Sequence, residues 1–317
     1  MEFETIVVPI IVIILVYIFI LIIGPLNTFR ANPLVQIFFV ALYSAGLYIF
    51  VVDSLQVLEE AEVNNFYIAV IWLQVFTNLY FYLYCCVSDP GKITKSNIKN
   101  ALEIFNYDRI IFFPSECKTC KLPKPARSKH CSMCNRCVAM YDHHCIWFNN
   151  CMGLQNYRYF LFFLASLLFL LITASSFFLY SVFKINYMNV LSKFQSRFIT
   201  DKSFSIMKEI IATTLFASPY TSSLALFLLF LVPIIAFFLV YQTRLWLIGK
   251  TSNESEKWAD IEDAIHDKIG ILEIIEPQNQ DSDDRPKILV ENISMIKNMY
   301  NYGWKKNLEL LVWPPYL

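Results

Sequence analysis

Five long uncharged stretches constrain this chain more than any other feature: residues 6–23, 34–52, 66–87, 159–183 and 224–241, each between 18 and 25 residues long. A bilayer core of about 30 Å is crossed by roughly 20 helical residues. Lipid offers no partner to a backbone N–H or C=O, so each stretch is expected as a helix that satisfies its own hydrogen bonds. The fold class that follows is all-α integral membrane, with five transmembrane helices. The composition agrees, since 56% of the residues are hydrophobic and only 16% charged, against roughly 25% charged in soluble domains. A disordered or nucleic-acid-coating chain would need an excess of charge, and the formal net charge here is +0, so nucleic acid is not expected as a partner.

The first stretch is preceded by Glu2 and Glu4 with no basic residue, which argues for a retained helix over a secretory leader. Pro9 and Pro233 lie inside spans, where proline is tolerated. Gln74 and Asn78 are four apart, hence on one helical face, and should point at other helices. Orientation comes from Lys and Arg: segments 24–33, 88–158 and 242–317 hold twenty-one, and those on the other side, all in 184–223, number five. This places 88–158 and the carboxyl tail in the cytosol. The domain organisation is then transmembrane helices 1–3 in 1–87, a cytosolic cysteine-rich domain in 88–158, helices 4–5 with a lumenal loop in 159–241, and a cytosolic tail in 242–317. No internal repeat or low-complexity run is visible.

Seven of the nine cysteines fall between Cys117 and Cys151. In a reducing compartment such thiols serve metal binding or catalysis rather than disulfides. The run reads Cys117-x2-Cys120-x9-His130-Cys131-x2-Cys134-x2-Cys137-x4-Asp142-His143-His144-Cys145-x5-Cys151. Cysteine pairs separated by two residues can aim both thiolates at one tetrahedral zinc. Seven Cys and three His give ten candidate ligands, whereas two closed tetrahedral sites use only eight. Two Cys3His sites would leave one thiol and one imidazole over. Asp142-His143-His144-Cys145 contains the residue types of a nucleophilic cysteine, a base and an orienting acid, so Cys145, His143 and Asp142 are the candidate catalytic set. A RING-type ligase would end on a further Cys-x2-Cys pair, and Cys145-x5-Cys151 does not fit.

These residues strongly resemble the DHHC protein S-acyltransferases, or palmitoyltransferases, over the whole cysteine-rich domain. Sparser matches flank it. Ser88-Asp89-Pro90-Gly91 looks like the family's Asp-Pro-Gly motif, and Thr251-Ser252-Asn253-Glu254 is similar to its Thr-Thr-x-Glu motif with Ser at the second position. Residues 298–307 resemble its carboxyl-terminal motif ending in Asn307, with Met299 and Asn301 where Pro and Asp are usual. The resemblance implies one structural zinc on Cys117, Cys120, His130 and Cys137 and a second on Cys131, Cys134, His144 and Cys151. It implies an acyl-Cys145 intermediate formed from long-chain acyl-CoA, His143 as general base, and Asp142 orienting it. It further implies CoA-phosphate contacts from Lys124, Arg127 and Lys129. Trp147, Phe160 and Phe163 are close enough to Cys145 in sequence to line the mouth of an acyl cavity. Ile146 stands where many members carry Pro. Five spans and a short amino terminus look like the subset that includes the fungal endoplasmic-reticulum enzyme acting on SNAREs. That likeness implies an endoplasmic-reticulum location and membrane-protein substrates with juxtamembrane cysteines.

Other features carry less. Cys85 and Cys86 end the third span and are equally readable as packed thiols or acylation sites. His266 belongs to a helix whose stripe of Trp258, Ile261, Ile265, Ile269 and Leu272 should pack on the protein or the interface. The sequons at Asn253 and Asn292 fall in cytosolic segments and should not be glycosylated. The competing functional reading is a catalytically inactive zinc-containing membrane scaffold; the presence of Asp142, His143 and Cys145 favours the enzyme. A transporter should carry ionisable groups inside its spans, and the five stretches have none.

Overall fold

The computed structural model describes residues 34–195, 218–267, 273–275, 287–289 and 293–317. The expected first span, with Pro9, and the Asn292 sequon lie outside the described residues. The other four expected spans are helices long and apolar enough to cross a membrane: Leu34–Glu60, Asn65–Val87, Tyr157–Asn189 and Pro219–Leu247.

In chain order the elements are α1 (Leu34–Ile49), a π-helical segment (Phe50–Ser54), α2 (Leu55–Glu60), α3 (Asn65–Val87) and α4 (Ile98–Ile104). Next come the strands β1 (Lys129–Cys131), β2 (Arg136–Val138), β3 (His143–Cys145) and β4 (Asn150–Met152). The chain continues as α5 (Tyr157–Gln195), α6 (Pro219–Leu247), α7 (Ser252–His266), β5 (Glu273–Ile275), β6 (Lys287–Leu289), a 3-10 turn (Ile293–Met295) and α8 (Trp304–Val312). The all-α expectation therefore needs correction. The structure is mostly helical, but the cysteine-rich region is built on antiparallel hairpins, because a hairpin sets two side chains directly opposite each other.

The fold divides into two compact units. The first takes the described residues up to Val87, then Ile146–Asn149 and Tyr159–Leu239; the second takes Ser88–Cys145, Asn150–Arg158 and the described residues from Val240 on. In the first unit, Leu47, Phe50, Leu58, Ile71, Val75, Ala174, Phe178 and Ala225 form the buried core. Gln74 and Asn78 turn inward as expected. Gln74 Nε2 donates to Thr173 Oγ1 at 3.1 Å, and Asn78 Nδ2 donates to Phe163 O at 3.2 Å and Ser166 Oγ at 2.9 Å. The π-helical segment carries Asp53, whose Oδ2 accepts from Thr221 N at 3.0 Å and from Thr221 Oγ1. A carboxylate there complements the unpaired N–H groups and the positive dipole end of α6.

In the second unit, α6 ends on a Schellman turn: Lys250 N donates to Leu245 O and Gly249 N to Trp246 O, both at 2.9 Å, with Gly249 at φ +69°. A Cβ at Gly249 would collide with the Tyr300 backbone, so glycine is needed for space as well as conformation. Directly after this turn, Thr251 starts α7 with a capping box: its Oγ1 accepts from Glu254 N at 3.2 Å, and Glu254 Oε2 accepts from Thr251 N at 3.0 Å. Trp258, Ile261 and Ile265 of α7 pack with Ile296, Ile110 and Ile111, and His266 is exposed.

Candidate active site and metal centres

Each group that could hold a metal ion is one cysteine knuckle plus one hairpin. In the first, Cys117 and Cys120 form the knuckle, with Cys120 N donating to Cys117 Sγ at 3.4 Å. His130 and Cys137 are directly opposed across β1–β2. In the second, Cys131 and Cys134 form the knuckle, again with a 3.4 Å N–H···S contact, and His144 opposes Cys151 across β3–β4. In each group of four the ligand atoms lie within 4.8 Å of one another.

The spacing of those atoms tests the fit to zinc. A tetrahedron has edges roughly 1.6 times its bond length, which for Zn–S and Zn–N bonds means S···S near 3.8 Å and S···N about 3.6 Å. Around His130 Nδ1, Cys120 Sγ is at 3.3 Å and Cys137 Sγ at 3.7 Å, with 3.7 Å between the sulfurs. Around His144 Nδ1, Cys131, Cys134 and Cys151 Sγ lie at 3.7, 3.3 and 3.7 Å, and Cys134 to Cys151 is 3.4 Å. These are the edges of ligand cages, and both donor sets fit a tetrahedral zinc.

The four ligands of the second group sit 14 positions after those of the first, one for one. The backbone repeats too: Lys121, Asn135 and Asn149, spaced by the same 14, have φ of +53°, +50° and +52°. The sequence therefore does contain an internal repeat, and the expectation of none is corrected. It is carried by ligand spacing and left-handed turn residues rather than by overall similarity. Extending it once more explains the leftover thiol. Cys145 occupies the place of Cys131, the first cysteine of a knuckle, but Phe148 stands where the second, Cys134, would be. Cys145 thus holds the place of a knuckle's first cysteine with no second cysteine to complete it.

His143 and Asp142 complete that local arrangement. His143 Nδ1 is 2.6 Å from Asp142 Oδ2, and Cys145 hydrogen-bonds the same imidazole. Partial burial works against a charged His143, yet Asp142 and Cys145 outweigh it and push its pKa up to about 10. Asp142 is only 2% exposed, and its other oxygen accepts from Ser252 N at 2.7 Å. From Ser252 the contacts run on: Gln242 Oε1 accepts from Ser252 Oγ at 3.3 Å and from Tyr157 OH at 2.7 Å, and the Tyr157 ring stacks on Trp246 with centroids 4.5 Å apart.

The DHHC palmitoyltransferase family matches residues 110–259, the segment holding this whole arrangement. Palmitoyltransferase swf1 of Schizosaccharomyces pombe is 36% identical over 300 residues, which cover 90% of this chain and 77% of that protein. The chain belongs to the DHHC palmitoyltransferase family. Over shorter stretches, palmitoyltransferase ZDHHC4 of Bos taurus is 46% identical across 34% of this chain and 32% of its own length. Palmitoyltransferase SWF1 of Yarrowia lipolytica is 58% identical across 24% of this chain and 20% of its own. The protein is accordingly an enzyme, a membrane-embedded protein S-palmitoyltransferase.

The three sparse motifs of this palmitoyltransferase converge on its second unit. In the Asp-Pro-Gly segment, Asp89 Oδ1 accepts from Gly91 N and Lys92 N at 2.9 and 2.8 Å, and Ser88 O accepts from Asn150 Nδ2 at 2.8 Å. Ser252 holds Asp142, as above. Glu254 meets Arg127, and this overturns one expectation. Arg127 is not placed to bind a CoA phosphate: its side chain is 0% exposed and forms a double contact with Glu254, Nε–Oε1 and Nη2–Oε2 both at 2.6 Å. Phe105 and Tyr300 flank the guanidinium, their centroids 5.0 and 4.7 Å from Cζ. The buried charge is neutralised by a residue 127 positions away, which sequence spacing does not reveal. Arg127→Met leaves the Glu254 carboxylate buried without its partner and should lower stability by about 3–5 kcal/mol. The expected readout is a reduced thermal midpoint in detergent with KM for acyl-CoA unchanged; a raised KM at unchanged midpoint would restore the phosphate role.

Lys124 and Lys129 keep exposed surface, and Lys129 Nζ donates to Asn253 Oδ1 at 2.7 Å. A third cation joins them. The Lys257 pKa is lowered by desolvation, against Glu254, which raises it, and with smaller lowering by the charges of Lys129 and Lys124; its Nζ lies over the Phe112 ring, 4.1 Å from the centroid. Its place on α7, far along the chain from the other two, kept it from being found by sequence alone.

The predicted cavity aromatics lie in the first unit. Phe163 is buried, with Phe148, Tyr82 and Phe39 at centroid distances of 5.0, 6.0 and 6.3 Å. Phe160 meets Phe148 and Phe238, each at 6.1 Å, and Trp147 meets Phe39 at 6.2 Å. Backbone carbonyls of this segment are held from below: Tyr82 OH donates to Trp147 O at 3.2 Å and Gln36 Nε2 to Phe148 O at 3.4 Å. Gln36 Nε2 also contacts Cys86 Sγ at 3.3 Å, which makes Cys86 a packed, buried thiol. Phe39, Tyr82, Phe148 and Gln36 were not singled out from sequence; the inward helical face shared by Asn78 and Tyr82 was the available signal.

Proposed function

We propose that this enzyme carries a palmitoyl or similar long-chain acyl group from acyl-CoA to cysteines of membrane proteins by way of acyl-Cys145. The observation that carries this reading is the Asp142–His143 contact of 2.6 Å with Cys145 bonded to the same imidazole and excluded from both metal groups. His143 takes the Cys145 proton, and the thiolate attacks the thioester carbonyl. The C–S bond to CoA breaks, and the departing thiolate recovers the proton from His143. In the second half the substrate thiol gives its proton to His143 and attacks acyl-Cys145, which leaves as thiolate. Thioester exchange is nearly isoenergetic, so the residues mainly orient and deprotonate thiols.

Two zinc ions on the two Cys3His groups would supply structural closure and no chemistry. Lys124, Lys129 and Lys257 are the proposed contacts for CoA phosphates, and Trp147, Phe160 and Phe163, with Phe39, Tyr82 and Phe148, the proposed surroundings of the acyl chain. The wider assignment is five spans, residues 88–158 and 242–317 in the cytosol, and residence in the endoplasmic reticulum. Its substrates would be transmembrane proteins with cysteines beside their cytosolic helix ends, SNAREs among them. Basic loop composition and the likeness to the fungal relatives support this assignment. The test is to incubate purified protein with labelled palmitoyl-CoA: hydroxylamine-sensitive label on the chain, transferred on to a juxtamembrane-cysteine peptide, is expected. Absence of any label would refute the acyl-enzyme.

A further inference from the structure

Helix α8 has three distinct faces. Asn307, 1% exposed, and the half-buried Leu310 turn toward the protein. Lys305, Lys306 and Glu309 form an exposed charged face. Between these lie Trp304, Leu308 and Val312, four residues apart, with exposures of 59%, 40% and 38%. The apolar stripe continues beyond the helix into Trp313 and Tyr316, which are 76% and 92% exposed. A contiguous patch of this kind is unfavourable in water and signals a covering partner.

Two sets of hydrogen bonds fix where the patch is. Asn307 Nδ2 donates to Leu247 O, and Trp246 Nε1 donates to Asn307 O, both at 2.8 Å. Trp246 and Leu247 are the last two residues of the span Pro219–Leu247. At the other end of the segment, Arg158 Nη1 donates to Val312 O and Gln155 Nε2 to Pro315 O, the latter at 2.6 Å. Arg158 is the second residue of the span Tyr157–Asn189. The segment is thus tied to the ends of two helices long and apolar enough to cross a membrane.

We infer that α8 and residues 313–316 form an interfacial anchor lying in the bilayer surface, with lipid as the occupant of the exposed stripe. Trp304, Leu308 and Val312 enter the boundary between headgroups and acyl chains, while Trp313 and Tyr316 sit at headgroup depth, where amphipathic rings are favoured. Lys305 flanks the stripe as a cation for anionic headgroups. Apolar stripe, flanking lysine, aromatic tail and attachment to span ends all agree on lipid, whereas a protein partner would account for the stripe alone. Through Asn307 the anchor also couples the bilayer surface to the end of the last span.

The test uses the full chain in vesicles of phosphatidylcholine and phosphatidylserine, with photoreactive benzoylphenylalanine replacing Leu308, Val312 or Glu309. Positions 308 and 312 should form several-fold more adduct with radiolabelled phospholipid than position 309. Lys305→Gln should lower adducts to phosphatidylserine relative to phosphatidylcholine, and Lys306→Gln, on the opposite side of the helix, should not. Equal yields at all three positions would overturn the anchor, because a helix in water, or one locally unfolded, has no lipid-facing side. Adducts to a second copy of the chain in place of lipid would overturn it as well.

Discussion

Replacing Cys145 with serine should abolish both acyl-enzyme formation and transfer, a loss of roughly a thousandfold or more, while leaving metal content unchanged. The nucleophile in thioester exchange is a thiolate, and a serine hydroxyl beside His143 has no comparable ionised form near neutral pH. Metal should be retained because Cys145 belongs to neither four-residue group. The same assay should rank Asp142→Asn below wild type by on the order of 10²–10⁴. Asp142 accepts on both oxygens, from His143 and from Ser252 N. An amide has one oxygen and must present its NH2 either to the Ser252 N–H, where two donors oppose, or to His143 Nδ1, which forces the other tautomer. Hydroxylamine-sensitive label read alongside metal analysis separates the outcomes. Equal label on Cys145→Ser and wild type would remove Cys145 from the reaction.

Sequence made some levels of this molecule readable and left others closed, for physical reasons. Spans are readable because lipid leaves the backbone no alternative to a helix, so the stretches at 34–52, 66–87, 159–183 and 224–241 announce themselves. The helices nevertheless run past those limits. α5 continues to Gln195, and Lys184, just after the apolar run, donates to Ala61 O at 2.7 Å. Metal ligands are readable because coordination needs particular atoms at short spacing. The hairpins that position them are not, since β1 to β4 have three residues each, too few to display a period of two. Arg127 illustrates the opposite failure. A basic run reads as a surface for anions, but the meaning of a charge depends on what closes over it, and Glu254, Phe105 and Tyr300 come from three separate parts of the chain. Phe148 gives no signal in the sequence, because an aromatic side chain is ordinary in an apolar segment. Its significance lies in which cysteine it replaces.

The two metal groups should fail unequally, and that asymmetry follows from how they interleave. The Cys131–Cys134 knuckle of the second group is also the connection between β1 and β2, the hairpin that supplies His130 and Cys137 to the first. Apolar packing cannot replace it. The local core is Cys131, Cys134, Val138, Tyr141 and Cys151 with Met133 against it, and three of those five buried residues are ligands. Structural zinc contributes roughly 10–16 kcal/mol of apparent binding energy to small domains of this kind, far more than Val138 and Tyr141 can supply by burial at about 1.5–3 kcal/mol per side chain. Cys134→Ser should therefore release both metals, because the β1–β2 turn loses its closure and the opposed His130–Cys137 pair loses its register. Cys117→Ser should release only the first, since the second group keeps all four ligands and its own hairpin. Metal analysis of purified protein, with hydrogen exchange of the amides in 129–152, measures the difference directly. If Cys134→Ser retained one metal with β1–β2 still protected, the two groups would be independent modules and the interleaving would carry no energetic weight.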